Sequence, residues 1–207
     1  IAMTLAAVSI LYCAKVAFAQ TDLKRLIAYT SVSHMGFVTL GVFAWNEPAV
    51  QGAIMTMLAH GLSAAALFML GGLWQQVPRM AVVALFFSVA ALGMPGLGNF
   101  VGEFLALLGA FQAHVGLTVV AAFGLIFASV YSLWVIQKVF QGEYTAQGFN
   151  ESALSDLNRQ EMLYYLAMMV GLVWMGMYPQ SFLELSAMTL AGLFCIHSVT
   201  GFEPNAE

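Results

Sequence analysis

The chain has 207 residues, of which 61% are apolar and 8% charged, with six Lys and Arg against ten Asp and Glu for a net charge of −4. Soluble domains carry roughly 25% charged residues, so soluble globular, disordered and nucleic-acid-binding classes all fit this composition poorly. It is the composition of an all-α polytopic membrane protein: a bilayer core about 30 Å thick takes about 20 apolar residues per helix, which leaves room for about six transmembrane helices.

Small counts narrow the chemistry. Cys13 and Cys195 lie far apart, each inside an apolar run. They cannot supply the four ligands of an iron–sulfur cluster and read as small buried residues. No GxGxxG, P-loop or CxxCH motif is present, so no cofactor and no nucleotide is expected in this chain. The chain opens with Ile1 inside an apolar run and has no basic flank of the kind a signal peptide carries. The expectation is a start inside a transmembrane helix of something longer.

In chain order, the first span is expected over 1–20, ending at Gln20-Thr21-Asp22, and the second over 26–45, ending at Asn46-Glu47-Pro48. The third covers 49–74. The fourth, 80–111, is too long for one uninterrupted helix and is broken by the stretch Gly93 to Asn99. Pro95 cannot donate a backbone hydrogen bond there, and Gly93, Gly96 and Gly98 favour non-helical backbone. The fifth span runs over 116–140. A polar connection, Gln141 to Glu161, precedes the sixth, 162–178, which closes at Tyr178-Pro179. Residues 180–199 are moderately apolar. They fit either an interfacial amphipathic helix or the completion of a longer tilted span.

With each span crossing once, Lys15, Lys24, Arg25, Arg79, Lys138 and Arg159 all fall on one side, and Glu47, Glu184, Glu203 and Glu207 on the other. The positive-inside rule makes the first side cytoplasmic and puts the C-terminus outside.

Three ionisable residues remain near span centres: His34, His60 and Glu103. A charge at mid-bilayer costs roughly 2.5–3.5 kcal/mol on insertion scales, so such residues face a bundle interior and often mark an ion path. Glu103 follows the broken stretch, and discontinuous helices build ion sites in transporters. Imidazole both gives and takes a proton, which suits His34 and His60 to a relay. Ser31, Ser33 and Ser63 are candidates to extend the polar line. The plain alternative for each histidine is a neutral ring bonded to a facing helix, and for Glu103 a carboxyl bonded to a neighbouring helix. Three single positions on different spans lack the paired spacing of a metal site. Gly98 and Gly102 have GxxxG spacing, which indicates close helix packing. Lys15 lies near enough to its span end to snorkel.

The runs Asp22 to Gly36 (DLKRLIAYTSVSHMG), Leu58 to Ala65 (LAHGLSAA), Leu92 to Gly96 (LGMPG) and Asn99 to Phe104 (NFVGEF) resemble the signatures of the antiporter-like subunits of respiratory complex I, the proton-translocating NADH:quinone oxidoreductase. Two paralogous types usually carry lysine on the second broken helix, whereas Glu103 resembles the glutamate-bearing type. The resemblance implies a subunit of fourteen helices with two inverted five-helix repeats. In that frame 1–141 is the second antiporter-like repeat, 142–161 a cytoplasmic connection, and 162–207 the last transmembrane helix and tail.

It further implies that Glu103, His60 and His34 form a proton relay in a central polar axis of a bacterial inner-membrane enzyme, with Glu103 serving the exit half-channel. The implied partners are protons, the lipid bilayer and other membrane subunits, with no nucleic acid. NAD, FMN, iron–sulfur clusters and quinone are expected only in other subunits. Cation/proton antiporters of the related multisubunit type and membrane-bound hydrogenases are the alternative. Three departures stand out. The first repeat is absent, Lys15 stands where relatives are commonly apolar, and the usual charged connector is missing where Leu70 meets Gly71.

Overall fold

The computed structural model describes residues 1–20, 22–70, 78–141 and 157–200, and every regular element among them is an α-helix. They are α1 (Ala2–Phe18), α2 (Leu23–Ala44), α3 (Glu47–Leu70), α4 (Pro78–Ala91), α5 (Gly98–Ala113), α6 (Val115–Gln141), α7 (Arg159–Met177) and α8 (Gln180–Thr200).

Local chemistry sets several of the ends. The Asp22 carboxylate accepts the Lys24 amide at 3.0 Å and caps α2. Asn46 accepts the Ala49 amide at 3.0 Å, while its own side-chain amide donates to the Gly109 carbonyl at 2.6 Å. One residue thus starts α3 and ties it to the far end of α5. Asn158 and Glu161 form a reciprocal capping box. That box starts α7 at Arg159, three residues ahead of the apolar run that marked the sixth span. Most of the polar connection, 142–156, lies outside the described residues, as do 71–77 at the end of the expected third span and the tail beyond 200.

The break expected at Gly93 to Asn99 separates α4 from α5. Gly93 (φ 72°) and Gly96 (φ 97°) both adopt left-handed backbone, which a Cβ would strain. Residues 80–111 therefore fold as two short helices rather than one.

Three described helical segments are long and apolar enough to cross a membrane: Lys24–Ala44, Glu47–Leu67 and Val115–Trp134. Arg159–Met177 and Gln180–Gly192 make a fourth when taken together, bent by 74°. This is fewer than the six spans expected from the apolar runs. The reason is length: α1 has 17 residues, and α4 and α5 have 14 and 16. At 1.5 Å per residue these fall short of a hydrocarbon core of about 30 Å. The bend between α7 and α8 also removes the option of one straight, tilted span through 162–199.

Helix α3 packs along α5 on one side and α2 on another, and α1 lies against α2 and α6. The α3–α5 seam is closed by small residues. A Cβ on Gly102 would lie 2.6 Å from the Thr56 amide nitrogen, and one on Gly52 2.7 Å from the Gly102 carbonyl oxygen, so the two backbones touch. Gly98 is equally close to Ala59 and Met175, as the GxxxG spacing implied. Apolar packing falls into two main clusters. Ile10, Phe37, Leu40 and Leu107 belong to one, and Met55, Phe87, Leu97 and Leu172 to the other. Many large apolar side chains point outward, among them Leu5, Phe123, Ile126, Leu133 and Val170, the surface of an all-helical membrane protein.

Candidate functional site

His34 projects from α2, His60 from α3 and Glu103 from α5, three helices that pack on one another. The backbone contact at Gly52 and Gly102 brings α5 close enough for Glu103 to reach past α3. All three side chains are buried, His34 and Glu103 each to 2% exposure. His34 Nδ1 lies 2.5 Å from Glu103 Oε1, a short bond between residues 69 positions apart. The His60 ring packs against that of His34, with centroids 5.0 Å apart and planes tilted by 34°. The structure therefore brings the three expected residues together, two by a direct hydrogen bond and the third by ring contact.

A fourth side chain completes the cluster. Tyr131 of α6 is buried, and its hydroxyl lies 2.8 Å from His34 Nε2. Its ring meets Phe18 of α1 edge-on, with centroids 6.0 Å apart. Sequence reasoning missed Tyr131 because an uncharged aromatic inside an apolar span does not stand out. The available signal was a tyrosine inside an apolar helix between Ser129 and Ser132, since a buried phenol must find a hydrogen-bond partner.

The helix break has its own polar staple. The Asn99 side-chain amide donates to the Ala90 carbonyl at 2.8 Å and to Ser63 Oγ at 3.0 Å. It thereby joins the last turn of α4, the first turn of α5 and the middle of α3. Ser63 Oγ in turn donates to the His60 carbonyl at 3.2 Å. His60 Nε2 and Asn99 Oδ1 are buried with no hydrogen-bond partner among the described residues. Such atoms are rare in native interiors and call for a donor, water or transferable proton. The second carboxylate oxygen of Glu103 faces the break, where a Cβ on Gly93 would lie 3.6 Å away.

Other candidates stand apart from the cluster. Ser33 donates to the Ile10 carbonyl at 2.8 Å and Ser31 to the Ile27 carbonyl at 2.9 Å, so of the three serines only Ser63 joins the line. Lys15 is exposed beside a recess of about 390 Å³ that it shares with Leu11, Phe18 and Phe127. His114 is exposed between α5 and α6, and Cys13 is a buried free thiol. The side chains of Lys138, Cys195 and His197 lie outside the described residues.

Chemically, the arrangement handles protons. A neutral imidazole donates through one nitrogen and accepts through the other, and an ionised carboxylate only accepts. His34 Nδ1 and Glu103 Oε1 are within hydrogen-bond distance, so a proton on either can bridge the two. Among the described residues no group of three His, Cys, Asp or Glu could hold a metal ion.

Comparison with known proteins gives the family. The family profile described as "NADH:quinone oxidoreductase/Mrp antiporter, TM" matches residues 1–73 and 67–129. Subunit M of the NADH-quinone oxidoreductase of Pseudomonas aeruginosa is 45% identical over 209 residues, covering 93% of this chain and 40% of the relative. Subunit M from Escherichia coli K12 is 44% identical over 222 residues, covering 99% and 43%. The chain thus spans about two fifths of the length of the curated relatives it matches. An alignment of 222 positions against 207 residues means that at least 15 positions of that relative have no counterpart here. The two profile matches meet at 67–73, where the short connector at Leu70 was noted.

A chain of respiratory complex I from Thermus thermophilus superimposes with a TM-score of 0.75 at 35% identity, covering 87% of this chain and 41% of that one. A chain of the Mrp complex from Dietzia shares the fold alone, with a TM-score of 0.74 at 19% identity. By profile match and by its homology to subunit M, this chain belongs to the NADH:quinone oxidoreductase/Mrp antiporter transmembrane family.

Proposed function

We propose that the chain forms the second-half portion of an M-type, antiporter-like subunit of respiratory NADH:quinone oxidoreductase, and that its buried cluster relays protons. The observation that carries this reading is the 2.5 Å contact between His34 and Glu103 in a site closed to solvent, with His60 packed against it. A carboxyl and an imidazole so placed exchange one proton with little movement. Polar groups inside a membrane protein are too costly to keep without a role.

In this scheme residues 1–141 are the second five-helix repeat, 142–161 the cytoplasmic connection, and 162–207 the last transmembrane helix with its tail. Six crossings are reached by counting α1 as one and the two halves of the broken helix together as one. The basic residues then mark the cytoplasmic face of a bacterial inner membrane and put the C-terminus outside. Quinone reduction in other subunits shifts charge along a polar axis and alternates the proton affinity of Glu103, with His34 and His60 passing the proton on. NAD, FMN, iron–sulfur clusters and quinone belong to those other subunits. This chain contributes proton-handling groups, contacts neighbouring membrane subunits and lipid, and binds no nucleic acid.

The test is Glu103→Gln in the full-length subunit within the intact complex. Protons translocated per electron should fall while the complex still assembles. Unchanged stoichiometry would remove Glu103 from the path.

A further inference from the structure

His34 is bonded at both ring nitrogens, and its two partners differ in what they can do. Glu103, when ionised, only accepts. Tyr131 owns one hydroxyl hydrogen and both donates and accepts. That hydroxyl bonds His34 Nε2 at 2.8 Å, in a pocket closed on one side by Phe18. With Glu103 ionised, one arrangement satisfies every polar hydrogen: Tyr131 O–H donates to Nε2, and Nδ1–H donates to Glu103 Oε1.

A proton added to the His34–Glu103 pair has two destinations. One is Nε2, where it meets the phenol. Protonation there aims an N–H at the Tyr131 oxygen and forces the hydroxyl hydrogen to leave Nε2, inside a buried site. The other is Glu103 Oε2, which faces the break beside Gly93. There the backbone carries no side chain, and no phenol stands in the way. The titratable groups around His34 are Glu103, His60 and Tyr131, one from each of the helices α5, α3 and α6 packed on α2.

We propose that Tyr131 is a positioning residue that locks His34 as the Nδ1–H tautomer, so that Glu103 exchanges its proton through the helix break until the phenol turns and opens Nε2 toward the histidines. This rests on the relay reading and adds its switch. No heavy-atom bond changes. One proton at a time passes between Glu103 Oε2 and the break. A proton passes between the histidines and Glu103 only as the Tyr131 hydroxyl swings off Nε2, when one arriving on Nε2 releases the Nδ1 proton to Glu103 Oε1. A relay that merely touched both histidines would let protons equilibrate freely. The lock makes passage depend on one rotation.

The experiment places Tyr131→Phe in the full-length subunit of the intact complex, with ¹⁵N-labelled histidine, and reads His34 by isotope-edited infrared spectroscopy. A His34→Gln sample identifies the His34 bands. The wild type should show the Nδ1–H tautomer. Tyr131→Phe should show the Nε2–H tautomer or imidazolium, with quinone reduction retained and fewer protons moved per electron. A purely structural tyrosine would leave the tautomer unchanged, and identical His34 bands in the two samples overturn the proposal. Should Tyr131→Phe fail to assemble, difluorotyrosine at position 131 keeps the ring and hydroxyl but strengthens the donor. It should shift the same bands, and no shift again overturns the lock. Loss of pumping in Glu103→Gln together with unchanged His34 bands in Tyr131→Phe sinks the lock alone, whereas normal pumping in Glu103→Gln sinks the relay.

Discussion

His34 and His60 are buried histidines on neighbouring helices with rings 5.0 Å apart, and the fold treats them in opposite ways. His34 is held at both nitrogens, by Glu103 and by Tyr131. His60 keeps Nε2 without a partner among the described residues, and its backbone carbonyl accepts from Ser63, which itself accepts from Asn99. One imidazole is fixed in orientation. The other is left with an unused site next to it, in a region where Asn99 Oδ1 is also unpartnered. The lesson is that burial alone does not make a relay. A ring held at both nitrogens has a fixed orientation, whereas a ring with an unpartnered nitrogen has one hydrogen-bonding site unused.

If that contrast is right, substitutions should separate stability from transport. The largest stability effect is expected from His34→Leu, which strips Glu103 and Tyr131 of their shared partner at once. Leaving a buried polar group without its partner costs roughly 1–3 kcal/mol, and more for a charged one, read as a lower thermal midpoint of the complex containing the full-length subunit. A loss below about 1 kcal/mol would mean that the three groups are not coupled.

Asn99→Ala should come next. It removes two bonds and the staple across the break, at a cost of roughly 1–3 kcal/mol. Amide exchange should rise locally in residues 92–97, and protection left unchanged would show that the glycine backbone holds the break unaided. The smallest stability change is expected from His60→Leu, within about 1 kcal/mol, because no partner is stranded. Proton translocation should nevertheless fall. A His60→Leu subunit that loses much stability but pumps normally would reverse the assigned roles.

His34, His60 and Glu103 were legible in the sequence because so few charges exist that an ionisable residue inside an apolar run stands out. The break was legible because Pro95 lacks an N–H and Gly93 and Gly96 accept left-handed backbone. Tyr131 was not. An aromatic in an apolar helix carries no charge to betray it, and its role depends on α6 lying where its hydroxyl meets α2. Asn99 was visible only as part of the broken stretch, since its bonds reach back nine residues to Ala90 and 36 to Ser63. The apolar runs also do not show which spans are single helices long enough to cross. They count residues, whereas an unbroken crossing requires a continuous axis, and the break at 92–97 and the bend between α7 and α8 interrupt it.

Composition and local pattern by themselves determined the solvent, the helical class, the place of the break and the three ionisable residues worth watching. These depend on transfer energies and on backbone freedom, which are properties of single residues and short windows. Which nitrogen meets which oxygen was decided only by tertiary structure. That choice needs α3 and α5 to touch at Gly52 and Gly102, and needs α6 to bring Tyr131 to a histidine 97 residues away. Hydrogen bonds act over about 3 Å and in one direction, so no one-dimensional pattern carries them.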